Sequence, residues 1–334
     1  MSVGSAPHHL RVIILALSIL GVSVAAVAQA PARVPTVGIL SASTSGPAAA
    51  VYREAFERGL KELGWIPGQN IRLEYRYAEG TPERLEGLAR DLVRLGVDVI
   101  VARATTSIRA AKRVTATIPI VMSATGQDPI QSGFIASLAR PGGNVTGLTL
   151  LNEELQPKQL QLLKEVVPRL SRVAVLGSTY ALSEKDRQSL ETAAAGLDLQ
   201  LQHVTVQRAG DLDKVFADVA GTRIGALLVR ADPSVLEPNT QRVVALALKH
   251  RLPAVYWLRS YPQAGGLMSY GADLVEIHRR SAYYVDRLLR GARSADLPVE
   301  EPAKFALVVN VKTARAIGLT VPPSILARAD EAIQ

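Results

Sequence analysis

The residues able to do chemistry in this chain are hydroxyls and single charges set just after short apolar runs. Ser41, Ser43 and Thr44 follow one such run; Thr105, Thr106 and Ser107 follow another; Thr125, Gly126 and Asp128 follow a third. In the second half Ser178, Thr179 and Tyr180, then Asp232, then Trp257 and Arg259 take corresponding places, and Tyr270 lies in a glycine-rich stretch. Hydroxyls and free backbone N–H groups at a helix start suit an anion, so Thr105-Thr106-Ser107 reads as an anion site or as ordinary helix capping. Asp232 suits an ammonium group, or serves as a turn residue before Pro233. Trp257 stacks on an aromatic ligand or fills core. Arg259 clamps a carboxylate or points into solvent.

Covalent and metal chemistry find no foothold. The chain has no cysteine, which removes thiolate nucleophiles, thiolate metal sites and disulfides. Its five histidines are scattered, with no metal-ligand spacing, and His250 and His278 read as surface residues of helices. No G-x-S-x-G elbow, dinucleotide fingerprint or phosphate loop occurs. The expectation is a binding protein with no cofactor and no metal, not an enzyme. The formal charge is +8, but the basic residues are interspersed and aromatics are 4% of the chain, so nucleic acid is not an expected partner.

The elements that must position these residues alternate. Thr36–Leu40, Ile71–Tyr77, Val97–Val101 and Ile118–Met122 read as strands, with helices over Ala48–Leu63 and Pro82–Leu95, the latter capped by Thr81. After a glycine-rich break the order restarts, with helices at Glu153–Val167, Glu184–Ala195, Asp211–Val219 and Thr240–His250. The strands between and after them are Val173–Leu176, Leu199–Val204, Ala226–Val229 and Ala254–Trp257. A βαβα alternation implies parallel sheets with helices on both faces. The halves also echo one another: Val99–Ser107 matches Ala226–Ser234, and Ile118–Val121 matches Leu252–Val255. The expected fold is therefore α/β, two doubly wound parallel-sheet lobes joined by a multi-strand hinge. Lobe 1 would hold residues 34–148 and 272–303, and lobe 2 residues 149–271 and 304–334.

The break itself, Ser137-Leu-Ala-Arg-Pro-Gly-Gly-Asn-Val-Thr-Gly-Leu-Thr-Leu150, reads as the end of one lobe and an interdomain strand over Val145–Leu150. Asn144-Val145-Thr146 is a glycosylation sequon by pattern alone. At the other end, Arg11, an apolar run over Val12–Val27 and the small residues Ala26-Val27-Ala28 read as a signal peptide over residues 1–28, cleaved near Ala28. With no cysteine there is no lipid anchor, and the expected location is the periplasm.

Four segments carry a family resemblance. They are Ile118–Val121 leading to Asp128-Pro129, the Ser137–Gly147 break, Ala264-Gly-Gly-Leu-Met-Ser-Tyr-Gly271, and Lys312-Thr-Ala-Arg-Ala-Ile-Gly-Leu-Thr-Val-Pro-Pro-Ser324. On them the chain resembles the type I periplasmic binding proteins that serve as substrate-binding components of ABC transporters. Within these it is similar to the group that includes tryptophan- and tyrosine-binding members. The resemblance implies capture of a small molecule, an amino acid or aromatic carboxylate, between closing lobes. It also implies delivery to an ABC permease in the inner membrane, or signalling to a membrane sensor. One departure limits ligand transfer: where members carry an Asn-Pro pattern, this chain has Gly177–Ala181. By topology, ligands bind beyond the carboxyl ends of the strands. That makes Ser41, Ser43, Thr44, Thr105, Thr106, Ser107, Gly126, Asp128, Thr179, Tyr180, Asp232, Trp257, Arg259 and Tyr270 the expected contacts.

Overall fold

A computed structural model describes residues 1–2, 33–150, 152–178, 184–302 and 304–334. The signal segment and its cleavage point near Ala28 lie outside the described residues, as do Thr179 and Tyr180.

The first half runs β1 (Thr36–Ser41), α1 (Pro47–Glu62), β2 (Arg72–Tyr77), α2 (Leu85–Arg94), β3 (Val99–Arg103), α3 (Ala104–Val114), β4 (Ile120–Thr125) and β5 (Val145–Thr149). These strands form one five-stranded sheet, ordered β2-β1-β3-β4-β5 and parallel throughout. Every residue of β3, β4 and β5 is buried, as strands covered on both faces must be.

The second half holds α4 (Asn152–Val166), β6 (Arg172–Ser178), α5 (Glu184–Ala195), β7 (Gln200–Val206), α6 (Leu212–Ala220), β8 (Ala226–Val229), α7 (Thr240–Lys249), β9 (Ala254–Tyr256), α8 (Ser260–Gln263) and β10 (Met268–Ala272). Beyond them come α9 (Leu274–Leu289), β11 (Phe305–Asn310), α10 (Val311–Ala316), α11 (Pro323–Leu326) and β12 (Glu331–Ile333). The second sheet runs β12-β11-β10-β9-β8-β6-β7, parallel except where β11 meets β10. Its β7-β6-β8-β9 core repeats the β2-β1-β3-β4 order of the first sheet. The sequence echo thus pairs β3 with β8 and β4 with β9, strands in equivalent places.

The chain passes between the sheets around Leu150, at Ala272–Asp273, and between Glu300 and Phe305. α4 packs on β8, β9 and β10, whereas α9, although it follows β10, packs on α1, β3, β4 and β5. Asp273 starts α9 by accepting hydrogen bonds from the Val275 and Glu276 N–H groups. Glu300 returns to the first sheet and brackets β5: its N–H donates to Gly147 O and its carbonyl accepts from Thr149 N–H. At Gly147 (φ 126°) any Cβ would sit 2.3 Å from Met122 O, so only glycine allows β4 and β5 to approach so closely.

Local structure corrects several expectations. The helix predicted from Pro82 begins as a 3₁₀ turn, and Thr81 makes no capping bond there. β3 and β4 start two residues late and run on to Arg103 and Thr125. Their ladders continue past the apolar core because those polar ends are buried between the two halves. The Asn144 side chain donates to Thr115 O and Ile118 O, at 3.2 and 2.9 Å. The sequon amide is therefore committed to bracing the turn before β4. Apolar packing forms a cluster within each half and a third spanning both, in which Val101 and Ala124 join Val235, Leu236 and Trp257.

Candidate functional site

The carboxyl ends of β1, β3 and β4 face those of β8 and β9, and a buried ion pair joins the two sides. Arg103, the last residue of β3, is 6% exposed, and Glu237, in the loop after β8, is 4% exposed. Arg103 Nη2 lies 2.7 and 2.8 Å from the two carboxylate oxygens of Glu237. A second approach lies nearby, where a Cβ on Gly80, in the loop after β2, would come within 3.0 Å of Ser234 O.

Helices complete the cluster. Tyr52 of α1 lies under the Arg103 guanidinium, 4.6 Å from ring centre to Cζ, and stacks on His278 of α9 at 4.7 Å. Burial, reinforced by the nearby Glu237 carboxylate, pushes the Tyr52 pKa far above the ordinary phenol value. Burial opposes the Arg103 charge, but the Glu237 carboxylate outweighs it, so the guanidinium stays ionised. His278 is different: burial, with Arg103 adding to it, lowers its pKa to about 3. It is therefore neutral near pH 7. Its Nδ1 lies 2.7 Å from Leu274 O, and a carbonyl only accepts, so Nδ1 carries the proton and Nε2 is a bare acceptor. Neither His278 Nε2 nor Arg103 Nη1 has a hydrogen-bond partner among the described residues. Both side chains line a cavity of about 30 Å³, with Ser41, Ser43, Tyr77 and Ser123, room enough for a water-sized group.

The expected contacts scatter around this cluster. Ser41 and Ser43 reach it, their hydroxyls 2.8 Å apart, with Thr44 half-buried beside them. The three hydroxyls of the Thr105–Ser107 row have different surroundings. Thr105 Oγ1 pairs with Thr125 Oγ1 at 3.1 Å, and Thr106 faces a groove with Pro82, Arg109 and Arg113. Ser107 is fully buried, its hydroxyl without a partner among the described residues. No side chain caps α3, whose preceding residue is Arg103, so the capping reading fails. Ala104 and Ala124 have φ of 66° and 67°, left-handed values that strain a non-glycine residue. They bend the chain sharply where β3 and β4 reach the interface.

Gly126 is half-buried, and Asp128 shapes its own turn by accepting from Ile130 N, Gln131 N and Gln131 Nε2. Asp232 is buried and does likewise. Its Oδ1 accepts from Ser234 N, Ser234 Oγ and Val235 N, between 2.8 and 2.9 Å, while Oδ2 has no partner among the described residues. Trp257 is buried in the apolar cluster that spans both halves. Arg259 stands apart from this cluster: half-exposed, it pairs with Glu331 at 2.8 Å and approaches Asp273 at 4.0 Å. Tyr270 is half-buried in β10, its ring 6.1 Å from that of Phe305. His278 is buried, not the surface residue expected.

Sequence reading missed Arg103, Glu237 and the roles of Tyr52 and His278. One signal was present: an arginine closing the otherwise apolar strand Val99-Ile100-Val101-Ala102-Arg103. Among the described residues no cluster of three or more His, Cys, Asp or Glu groups is arranged to hold a metal, and no helix is long and apolar enough to cross a membrane.

Comparison with known proteins fits this architecture. A tyrosine-binding protein of Clostridioides difficile is 24% identical over 269 residues, covering 80% of this chain and 76% of that one. A conserved domain protein of Vibrio cholerae superposes with a TM-score of 0.83 at 27% identity, over 90% of this chain and all of that one. A Streptococcus domain crystallised with L-Trp gives a TM-score of 0.81 at 24% identity, over 90% and 99% of the two chains. The family model for ABC transporter substrate binding proteins matches residues 37–333, a family of solute-binding proteins and not of enzymes, and this chain belongs to it.

Proposed function

We propose that the protein is exported to the periplasm, closes its two lobes around an amino acid, best an aromatic one, and hands it to an ABC permease. The lobes would be residues 34–148 with 272–303, and 149–271 with 304–334, moving about the three strand-level crossings. The observation that carries this reading is the Arg103–Glu237 bond. It joins the strand ends of both sheets at the place where open α/β sheets bind ligands. A ligand drives closure only through contacts made with both lobes together. The L-Trp bound by the Streptococcus protein, and the tyrosine named for the Clostridioides one, support the choice of ligand class.

Thermal unfolding of the chain from Gln29 tests it, against aromatic and aliphatic amino acids, aromatic acids, nucleosides and sugars. A ligand at a hundred times its dissociation constant stabilises by ~2.7 kcal/mol, a rise of about 5–10 °C. Selective shifts with tryptophan or tyrosine, and compaction by X-ray scattering on adding the hit, are the expected results. A selective shift with sugars or nucleosides only would overturn the ligand class.

A further inference from the structure

The Arg103–Glu237 pair has an incomplete geometry for a purely structural bridge. A buried arginine that holds a carboxylate usually offers two nitrogens side by side. Here the contacts to both Glu237 oxygens come from Nη2 alone, and Nη1 has no partner among the described residues. Across the interface, the loop that carries Glu237 also holds Asp232, whose buried Oδ2 is an acceptor without a donor among the described residues. The first sheet thus contributes unused cationic donor capacity, and the second contributes anionic acceptor capacity.

We infer that Arg103 and Glu237 are a specificity pair for a zwitterion. On binding, the ligand carboxylate takes the place of Glu237 on Arg103, and the ligand ammonium takes the place of Arg103 on Glu237. This rests on the amino-acid reading above and names the residues that enforce it. The physics is that of desolvated charge. Once the lobes close, each buried charge needs a counter-charge, and removing one partner of a buried pair is strongly destabilising. An anionic ligand satisfies Arg103 and strands Glu237. A cationic ligand does the reverse. A ligand with neither charge gives the pair no reason to separate. Only a molecule bearing both charged groups on one carbon, as an α-amino acid does, compensates both sides, so discrimination comes from what closure would leave unpaired.

Calorimetric titration of the full mature chain tests this with L-tryptophan, L-tyrosine, tryptamine (ammonium only) and indole-3-propionate (carboxylate only). The expected result is binding of at least one amino acid, with both single-charge analogues weaker by about 100-fold or more. The doubly neutral variant Arg103→Gln/Glu237→Gln, checked for folding by circular dichroism, should lose that preference and bind the amino acid about 100-fold more weakly. The wild-type analogue series decides the matter even if this variant does not fold. Analogue affinities within tenfold of the amino acid, or an unaltered affinity in the double variant, would overturn the pair's role and leave the amino-acid reading standing. If neither amino acid binds the wild type, the amino-acid reading fails, and the pair's role fails with it.

Discussion

The ends of β3 and β8 are equivalent by sheet order and by sequence echo, yet they do opposite things. β3 turns directly into α3 through the strained Ala104, which fixes Arg103 at the interface with no loop to adjust it. β8 runs instead into a turn over Arg230–Asn239 before α7 begins. Asp232 shapes that turn, through three bonds to its Oδ1 and one from Glu237 N–H to its carbonyl. The turn then presents Glu237 to Arg103. One half offers a rigid cation braced by the Tyr52 ring; the other offers an anion on a shaped loop. Repeated topology therefore supplies two facing platforms, and the residues just past each strand decide which charge each one bears.

The sharpest way to break the comparison is Glu237→Gln. In the closed form it leaves Arg103 buried without a counter-charge, which costs about 3–5 kcal/mol. Opening the lobes lets water solvate Arg103, so the variant should escape by opening. Scattering should show a larger radius of gyration than the wild type, and ligand affinity should fall. An unchanged radius with unchanged stability would mean the pair does not hold the halves together. On the β3 side, His278 gives the next effect. Its folded pKa of about 3 lies below the unfolded value near 6.5, so the unfolded chain binds the proton first as pH falls. Its stabilising contribution is complete above pH 6.5 and is lost on acidification down to about pH 3, at up to ~1.4 kcal/mol per pH unit. Denaturant titrations from pH 7 to 4 should show this slope, and His278→Phe should remove most of it. On the β8 side, Asp232→Ala should cost about 1–2 kcal/mol by dropping three hydrogen bonds, while Asp232→Asn, which keeps an oxygen acceptor, should cost less than half as much.

The fold was legible because its signals are local. Apolar runs and glycines repeat at short range, and the echo of Val99–Ser107 in Ala226–Ser234 marked two equivalent strands. The site was legible only in outline. Topology pointed to Ser41 and Ser43, which line the cavity, but it placed Arg259 there as well, and that side chain is engaged by Glu331, 72 residues away. The central pair spans 134 residues, and nothing in Glu237's neighbourhood distinguishes it from a surface glutamate in a turn. Tyr52 fell on a helix face of regular apolar spacing, which reports that a face is buried and not what lies across from it, and His278 read as a surface residue of its helix. Long-range charge pairing is a product of the folded tertiary structure, so no local pattern encodes it.

The smallest effect belongs to Thr105, the residue that the echo aligns with Asp232. Thr105 follows the end of β3 by two positions and Asp232 the end of β8 by three, but Asp232 organises a loop, whereas Thr105 makes a single described hydroxyl contact, 3.1 Å from Thr125 Oγ1. Thr125 keeps a second bond, to Gln127 O, so it is not left unsatisfied when its neighbour changes. Thr105→Val preserves shape and removes one neutral hydrogen bond, so it should cost about 1 kcal/mol or less. Because α3 has no side-chain cap, no capping loss adds to that figure. Ligand affinity should stay within about threefold of wild type in the same titration. A loss of a hundredfold at Thr105, with stability unchanged, would mean that the hydroxyl row after β3 contacts the ligand directly, and would move the weight of recognition from the charge pair to that row.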